Sequence, residues 1–213
     1  MFFSAVTQHQ LAHTIFPLGA YSKTQIREMA EKQSFCNARK HDSQDICFVP
    51  DGDYVGFMEQ YTGKRYPSGD FIDENGKKIG THAGAVRYTI GQRRGLGLPM
   101  GDRVYVCAKD MEKNTVTVGP VESLFATRVI VRDMNWISVP GLTGEMRVKA
   151  KLRYRQKEQP AVASPLDGGR ILLTFDEPQR GPAIGQAAVL YDGDTVVGGG
   201  TICGVPKDGE VCR

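Results

Sequence analysis

The 213-residue sequence predicts a mainly β chain: a short α-helical N-terminal segment, a small central β-rich domain, then an antiparallel barrel or sandwich. Three observations carry this. Gly19 is the only glycine among residues 1–50, and the other 24 lie beyond, so two architectures meet near Pro50. Helix-start signatures are confined to the first part. From about residue 64 the hydrophobic pattern shortens to period 2, with turn residues every eight to twelve positions.

Taken in order, Thr7 with Gln10 and Ser22 with Gln25 each place a hydroxyl and a glutamine three residues apart. In that pairing the hydroxyl caps the first turn and the amide reaches back to the cap. Val6 with Leu11 and Tyr21 with Ile26 supply the apolar staple, predicting helices over 8–16 and 23–33, the first ended by Pro17 and Gly19. A third helix is expected from Asp53 to Tyr61, with Tyr54, Phe57, Met58 and Tyr61 on one face. Two short amphipathic helices do not bury their own apolar faces, so this piece is expected to pack on something larger. Strands are expected over 103–108, 115–118, 126–132, 145–155, 159–164, 170–175, 186–191 and 195–202. Asp192-Gly193 is a hairpin signal and Asp167-Gly168-Gly169 a slightly longer turn. Gly198-Gly199-Gly200 inside the last strand marks a bulge or close strand packing. The implied organisation is 1–61 helical, 62–122 central, 123–207 barrel and 208–213 tail.

Composition excludes several classes. With 24% charged and 40% hydrophobic residues and a net charge of +3, the chain is neither disordered nor fibrous. No apolar run approaches the roughly 18 residues of a membrane span, and MFFSAVTQHQ lacks the features of a signal peptide, so the sequence reads as cytoplasmic with no membrane partner. The five cysteines, at 36, 47, 107, 203 and 212, are odd in number and contain no C-x-x-C pair, which suggests neither a disulfide framework nor a metal site.

The run 145–157 alternates: every odd position from 147 to 157 is Lys or Arg, and every even one from 146 to 154 is apolar or aromatic. As one strand it would carry a cationic face with charges about 6.6 to 6.8 Å apart, close to the spacing of successive phosphates on a nucleic acid strand. The competing reading is a solvated outer face. The run Tyr88-Thr89-Ile90-Gly91-Gln92-Arg93-Arg94-Gly95 ends in a glycine-rich basic turn without the spacing of a phosphate-binding loop, and serves equally as a structural turn or a binding loop. Cys47 lies between Ile46 and Phe48; Arg39, Lys40 and His41 would favour its thiolate, whereas Asp42 and Asp45 oppose it. A buried core thiol is the alternative. Cys107 and Cys203 fall in strand patterns and read as core, and His82, Asp133, Asp176 and Glu177 form no recognisable site.

Asp42-Ser43-x-x-Ile46-Cys47-Phe48, the Tyr88–Gly95 run, Arg153-Tyr154-Arg155-Gln156, Phe175-Asp176-Glu177-Pro178, Gly185-Gln186-Ala187-Ala188-Val189-Leu190-Tyr191 and Gly198-Gly199-Gly200 together resemble the tRNA-specific 2-thiouridylases (MnmA/TrmU). The resemblance implies a central mostly-β domain and a C-terminal β-barrel like those of translation factors. It implies ATP-dependent thiolation at carbon 2 of the wobble uridine, with Cys47 as the persulfide-carrying cysteine and Arg153, Tyr154 and Gln186 as places where the barrel touches tRNA. Implied cofactors are ATP and magnesium, with a persulfide sulfur donor. Implied partners are tRNA and a sulfur-relay protein or cysteine desulfurase. The family's S-G-G-x-D-S loop does not occur in this sequence, nor does the cysteine that pairs with the persulfide thiol in a disulfide, so the chain is expected to be a fragment inactive by itself. The alternative is a non-catalytic β-barrel RNA-binding module.

Overall fold

The computed structural model describes residues 2–40, 49, 52–99 and 103–206. Two compact units are present, Met1–Gln8 with Tyr66–Arg213, and His9–Arg65.

The helical unit follows its capping chemistry. Helix α2, Lys23–Lys32, begins with a complete capping box: the Ser22 hydroxyl accepts from the Gln25 N–H, and the Gln25 amide oxygen accepts from the Ser22 N–H at 2.8 Å. Helix α1, Gln8–Ala12, is shorter than the expected 8–16. The His13 and Thr14 N–H groups turn back three residues to Gln10 and Leu11, which tightens and ends the last turn. Helix α3, Tyr54–Thr62, starts on the Asp53 carboxylate, which accepts from the Gly56 N–H, and stops at left-handed Gly63. Its buried residue is Val55, whereas Tyr61 is 83% exposed, so the aromatic face expected from sequence is not the buried one. Neither α1 nor α2 buries a residue.

The other unit begins with a four-stranded sheet built from β1 (Gly69–Ile72), β2 (Lys78–His82), β3 (Tyr105–Asp110) and β4 (Thr115–Gly119), in the order β2-β1-β4-β3. Strands β1 and β2 escaped the period-2 reading because they are short. The signal that marks them is their turn, where the Asp73 carboxylate accepts from the N–H groups of Asn75 and Lys77. The β1–β4 pair is parallel, with Asp70 opposite Thr115, so the central sheet is mixed. Its connection passes through β2, a long loop and β3 without a crossover α-helix. Asn114, at φ 51°, ties the sheet together: its amide donates to the Pro67 and Ser68 carbonyls and accepts from the Ala85 N–H.

A closed six-stranded antiparallel barrel follows, in the order β10-β5-β8-β7-β6-β9. Its strands are β5 (Phe125–Trp136), β6 (Met146–Lys151), β7 (Gln159–Pro165), β8 (Ile171–Arg180), β9 (Ala187–Asp192) and β10 (Thr195–Gly204). Small inward residues, Ala150, Ala161, Ala163 and Ala188, let the larger Leu152, Leu173, Phe175 and Ile202 fill the interior. The Asp192-Gly193 hairpin is present, with Thr195 opposite Asp192. The triple glycine is a site of close approach and register shift. A methyl added to Gly200 would lie 2.5 Å from the Arg132 carbonyl, and one on Gly199 2.7 Å from Cβ of Ser4. That room admits the N-terminal residues, whose Ser4 and Val6 carbonyls accept from the Asn135 amide.

His82 sits buried at the heart of the central sheet, edge-on to Phe71 and beside Tyr88, with Nδ1 accepting from the Gly84 N–H. Burial pushes its ring below the usual histidine range, against smaller upward pulls from the Asn114 backbone and Asp70. The fold therefore holds the ring neutral, while the unfolded chain takes up a proton near pH 6.5. Its contribution is complete above that pH and declines as the pH falls below it. The thermal midpoint should drop more between pH 7.5 and 5.5 for the native chain than for His82→Phe; equal drops would show that His82 is not the acid-sensitive group.

Candidate nucleic-acid interface

The cationic run splits where the barrel turns. Strand β6 ends at Lys151, so three of the six expected charges, Arg147, Lys149 and Lys151, belong to it. Val148 and Ala150 point inward, and Leu152 continues that side for one more residue. Two of the three strand cations have carboxylate partners. Arg147 makes a bidentate pair with Asp176 of β8, and Lys151 lies 3.4 Å from Glu158. Hydrogen bonding to Arg147 holds the Asp176 carboxyl below the usual range. The uniform cationic face expected over 145–157 is thus a mixed-sign strand followed by a separate turn.

That turn, residues 152–156, is fixed from inside. Arg153 is half-buried, and its Nη2 donates to the Gly181 carbonyl at 2.5 Å. Gly181 has φ 60°, and a methyl there would meet Nη2 at 2.7 Å, so both its conformation and the guanidinium exclude a side chain. The Gln156 amide donates to the Gln179 side-chain oxygen at 2.6 Å, and Gln179, itself buried, donates to the Glu177 carbonyl. Tyr154 is left 69% exposed. Gln186 stands exposed in the loop between β8 and β9, its backbone bonded to Ala183 and Ile202. The β6–β9 register pairs Lys149 with Tyr191 and Lys151 with Val189, so the residues that follow β6 and those that precede β9, Tyr154 and Gln186 among them, lie toward one barrel end. Phe125 and Ile184 are also exposed at that end.

The same end meets the central sheet. The Gly181 N–H donates to the Leu124 carbonyl at 2.6 Å, just before β5, and Arg180 lies over the Tyr105 ring of β3 at 5.8 Å. Cγ2 of Ile90 would be 3.8 Å from a methyl on Gly181. Ile90 belongs to the loop 88–97, which is ordered by its own bonds. The Gly91 N–H donates to Val106, Val106 donates back to Gln92, and the Gln92 side chain accepts from Thr89 while donating to the Arg94 carbonyl. Gln92 is therefore a structural staple, and Arg93 and Arg94 point out as exposed residues. Sequence reading missed Gly181 and Gln179; the Gly181-Pro182 dipeptide marks a turn, but nothing local shows which side chain closes on it.

Cys47 and its motif lie outside the described residues, as does Cys212. Cys36 is exposed, and Cys107 and Cys203 are half-buried rather than fully core. Burial first, then Glu74, pushes the Cys107 thiol up to about 11. Among the described residues no cluster of His, Cys, Asp or Glu is placed to hold a metal ion, and no helix is long and apolar enough to cross a membrane.

Comparison with known proteins matches three family models in succession: tRNA methyl transferase HUP domain over residues 1–51, tRNA methyl transferase PRC-barrel domain over 55–120, and aminomethyltransferase beta-barrel domain over 126–202. The tRNA-specific 2-thiouridylase MnmA of Heliobacterium modesticaldum is 48% identical over 199 residues, covering 92% of this chain and 52% of that protein. The Moorella thermoacetica protein of the same name is 48% identical over 92% of the chain and 55% of its own length. A Thermoanaerobacter relative, MnmA 1, is 47% identical over 92% and 54%. The chain belongs to the MnmA/TrmU family. It spans about half the length of the curated relatives it matches. Within this family chain, the R-Y-R-Q and Y-T-I-G-Q-R-R-G motifs meet at Gly181, through Arg153 and Ile90.

A thiol with so high a pKa is a poor nucleophile at neutral pH. Titration with a maleimide at pH 7.5, read by peptide mass, should label Cys36 first and Cys107 slowest of the three described cysteines. Equal rates at Cys36 and Cys107 would contradict the burial argument.

Proposed function

We propose that this chain is the sulfur-carrying and tRNA-binding part of a tRNA-uridine 2-sulfurtransferase. The observation that carries the reading is the 48% identity, over 92% of the chain, to a protein named tRNA-specific 2-thiouridylase. The closed barrel, with arginine and tyrosine gathered at one end, supports it. Cys47 holds the sulfur as a persulfide whose outer sulfur attacks carbon 2 of the activated wobble uridine and displaces the activated oxygen. A second thiol of the complete enzyme then attacks the Cys47 sulfur, which breaks the S–S bond, leaves the outer sulfur on the base and joins the two cysteines in a disulfide. ATP with magnesium activates the base oxygen; the sequence has no phosphate-cradling loop of its own, so that step belongs to other residues of the complete enzyme. A sulfur-relay protein or a cysteine desulfurase loads Cys47. Arg153, Tyr154 and Gln186 form the barrel's contact with tRNA: Arg153 sets the turn, Tyr154 offers an aromatic face for stacking, and Gln186 offers an amide. The work is cytoplasmic, where tRNA and reduced thiols are found.

In the complete enzyme, Cys47→Ser should abolish thiolation while tRNA affinity stays within about threefold, since the thiol does not hold the RNA. Retained turnover in that variant would refute the assignment. Arg153→Ala should weaken binding of all tRNAs to a similar degree, because a backbone-positioning turn does not read sequence. A loss confined to one tRNA would instead make the turn a base reader.

A further inference from the structure

We propose that Arg93 and Arg94, together with Arg155 of the barrel turn, form a single RNA-backbone contact surface across the seam between the central sheet and the barrel. This deepens the tRNA-binding reading above and rests on it.

The first support is charge accounting. On β6, Arg147 and Lys151 are engaged by Asp176 and Glu158. Arg93, Arg94 and Arg155 are exposed and have no carboxylate partner among the described residues. Among the cations of β6 and the two loops, Lys149 is the one strand residue without an ion pair among the described residues, so the exposed unpaired arginines of this set lie on the loops. The second support is rigidity. The 91–97 loop is pinned by the Gln92 staple, by its ladder bonds to Val106 and by buried Tyr88, while Gly91, Gly95 and Gly97 take left-handed φ values of 87°, 74° and 65°. A fixed loop holds its arginines at little ordering cost on binding. The third support is juxtaposition. Ile90 of this loop and Arg153 of the turn both abut Gly181, and Arg180 on Tyr105 adds a second tie between the same two layers. Guanidinium groups suit phosphate because their planar fork donates two parallel hydrogen bonds, and exposed Tyr154 beside Arg155 supplies a stacking face for an unpaired base. Phosphates on one side and a splayed base on the other describe a bent single-stranded segment of a folded RNA, the form in which tRNA loops present themselves.

The test uses the 213-residue chain and end-labelled unfractionated tRNA, with affinity measured by anisotropy across a salt series. Two charge-matched double variants are compared, Arg93→Ala/Arg94→Ala at the seam and Arg147→Ala/Lys149→Ala on the strand. The seam pair should lose about tenfold in affinity and lower the log–log salt slope by about 1.4 to 1.8, the strand pair less than about twofold. If the native chain binds and the strand pair suffers the larger or an equal loss, the seam proposal is overturned while the tRNA-binding reading stands. If the native chain shows no salt-dependent binding at all, both fall.

Discussion

The arrangement of this molecule depends on one backbone position. Gly181, in a left-handed conformation, donates its N–H to Leu124 at the entrance of the barrel and accepts from Arg153 through its carbonyl. A side chain there would cost about 1–2 kcal/mol in backbone strain alone and would also displace the guanidinium. With glycine in place, the chain leaving β8 can pass between the R-Y-R-Q turn and Ile90. The turn, the β8–β9 loop and the central-sheet loop then become neighbours rather than three separate surface features.

The same constraint explains a division of labour among the arginines. Arg153 faces inward and acts as a fastener, Arg180 lies on Tyr105, and Arg147 is held by Asp176. Such ties fix geometry and add little net stability at exposed positions, where water and salt screen them. Arg93, Arg94 and Arg155 are exposed with no such tie among the described residues, and they stand on loops held by the Gln92 bonds and by Arg153.

Much of this was legible in the sequence, for identifiable reasons. Hairpins at Asp192-Gly193 and Asp167-Gly168-Gly169, the Ser22 capping box and the close approach at Gly198-Gly199-Gly200 are local chemistry, and local chemistry is written in consecutive residues. The barrel strands followed from period 2. What escaped was set by distant partners. Alternation over 145–157 told which side of a strand each residue faces, but not that the strand stops at Lys151 or that Asp176 reaches across from β8. The parallel β1–β4 pair and the bonds from Asn114 to Pro67 and Ser68 join segments more than forty residues apart, with no local mark. Of the candidate site, the sequence offered Arg153, Tyr154 and Gln186 only through the resemblance; their position toward one barrel end and the inward role of Arg153 came from the fold.

The proposed site of the RNA is the seam beside Gly181. The most direct measurement is arginine footprinting with phenylglyoxal on the full chain, with and without saturating tRNA, read residue by residue from peptide masses. Arg93, Arg94 and Arg155 should be protected by RNA, while Arg147, already held by Asp176, should react slowly and equally in both samples. Protection at Arg147 with Arg93 and Arg94 reacting as fast as before would place the RNA along β6 and contradict the account.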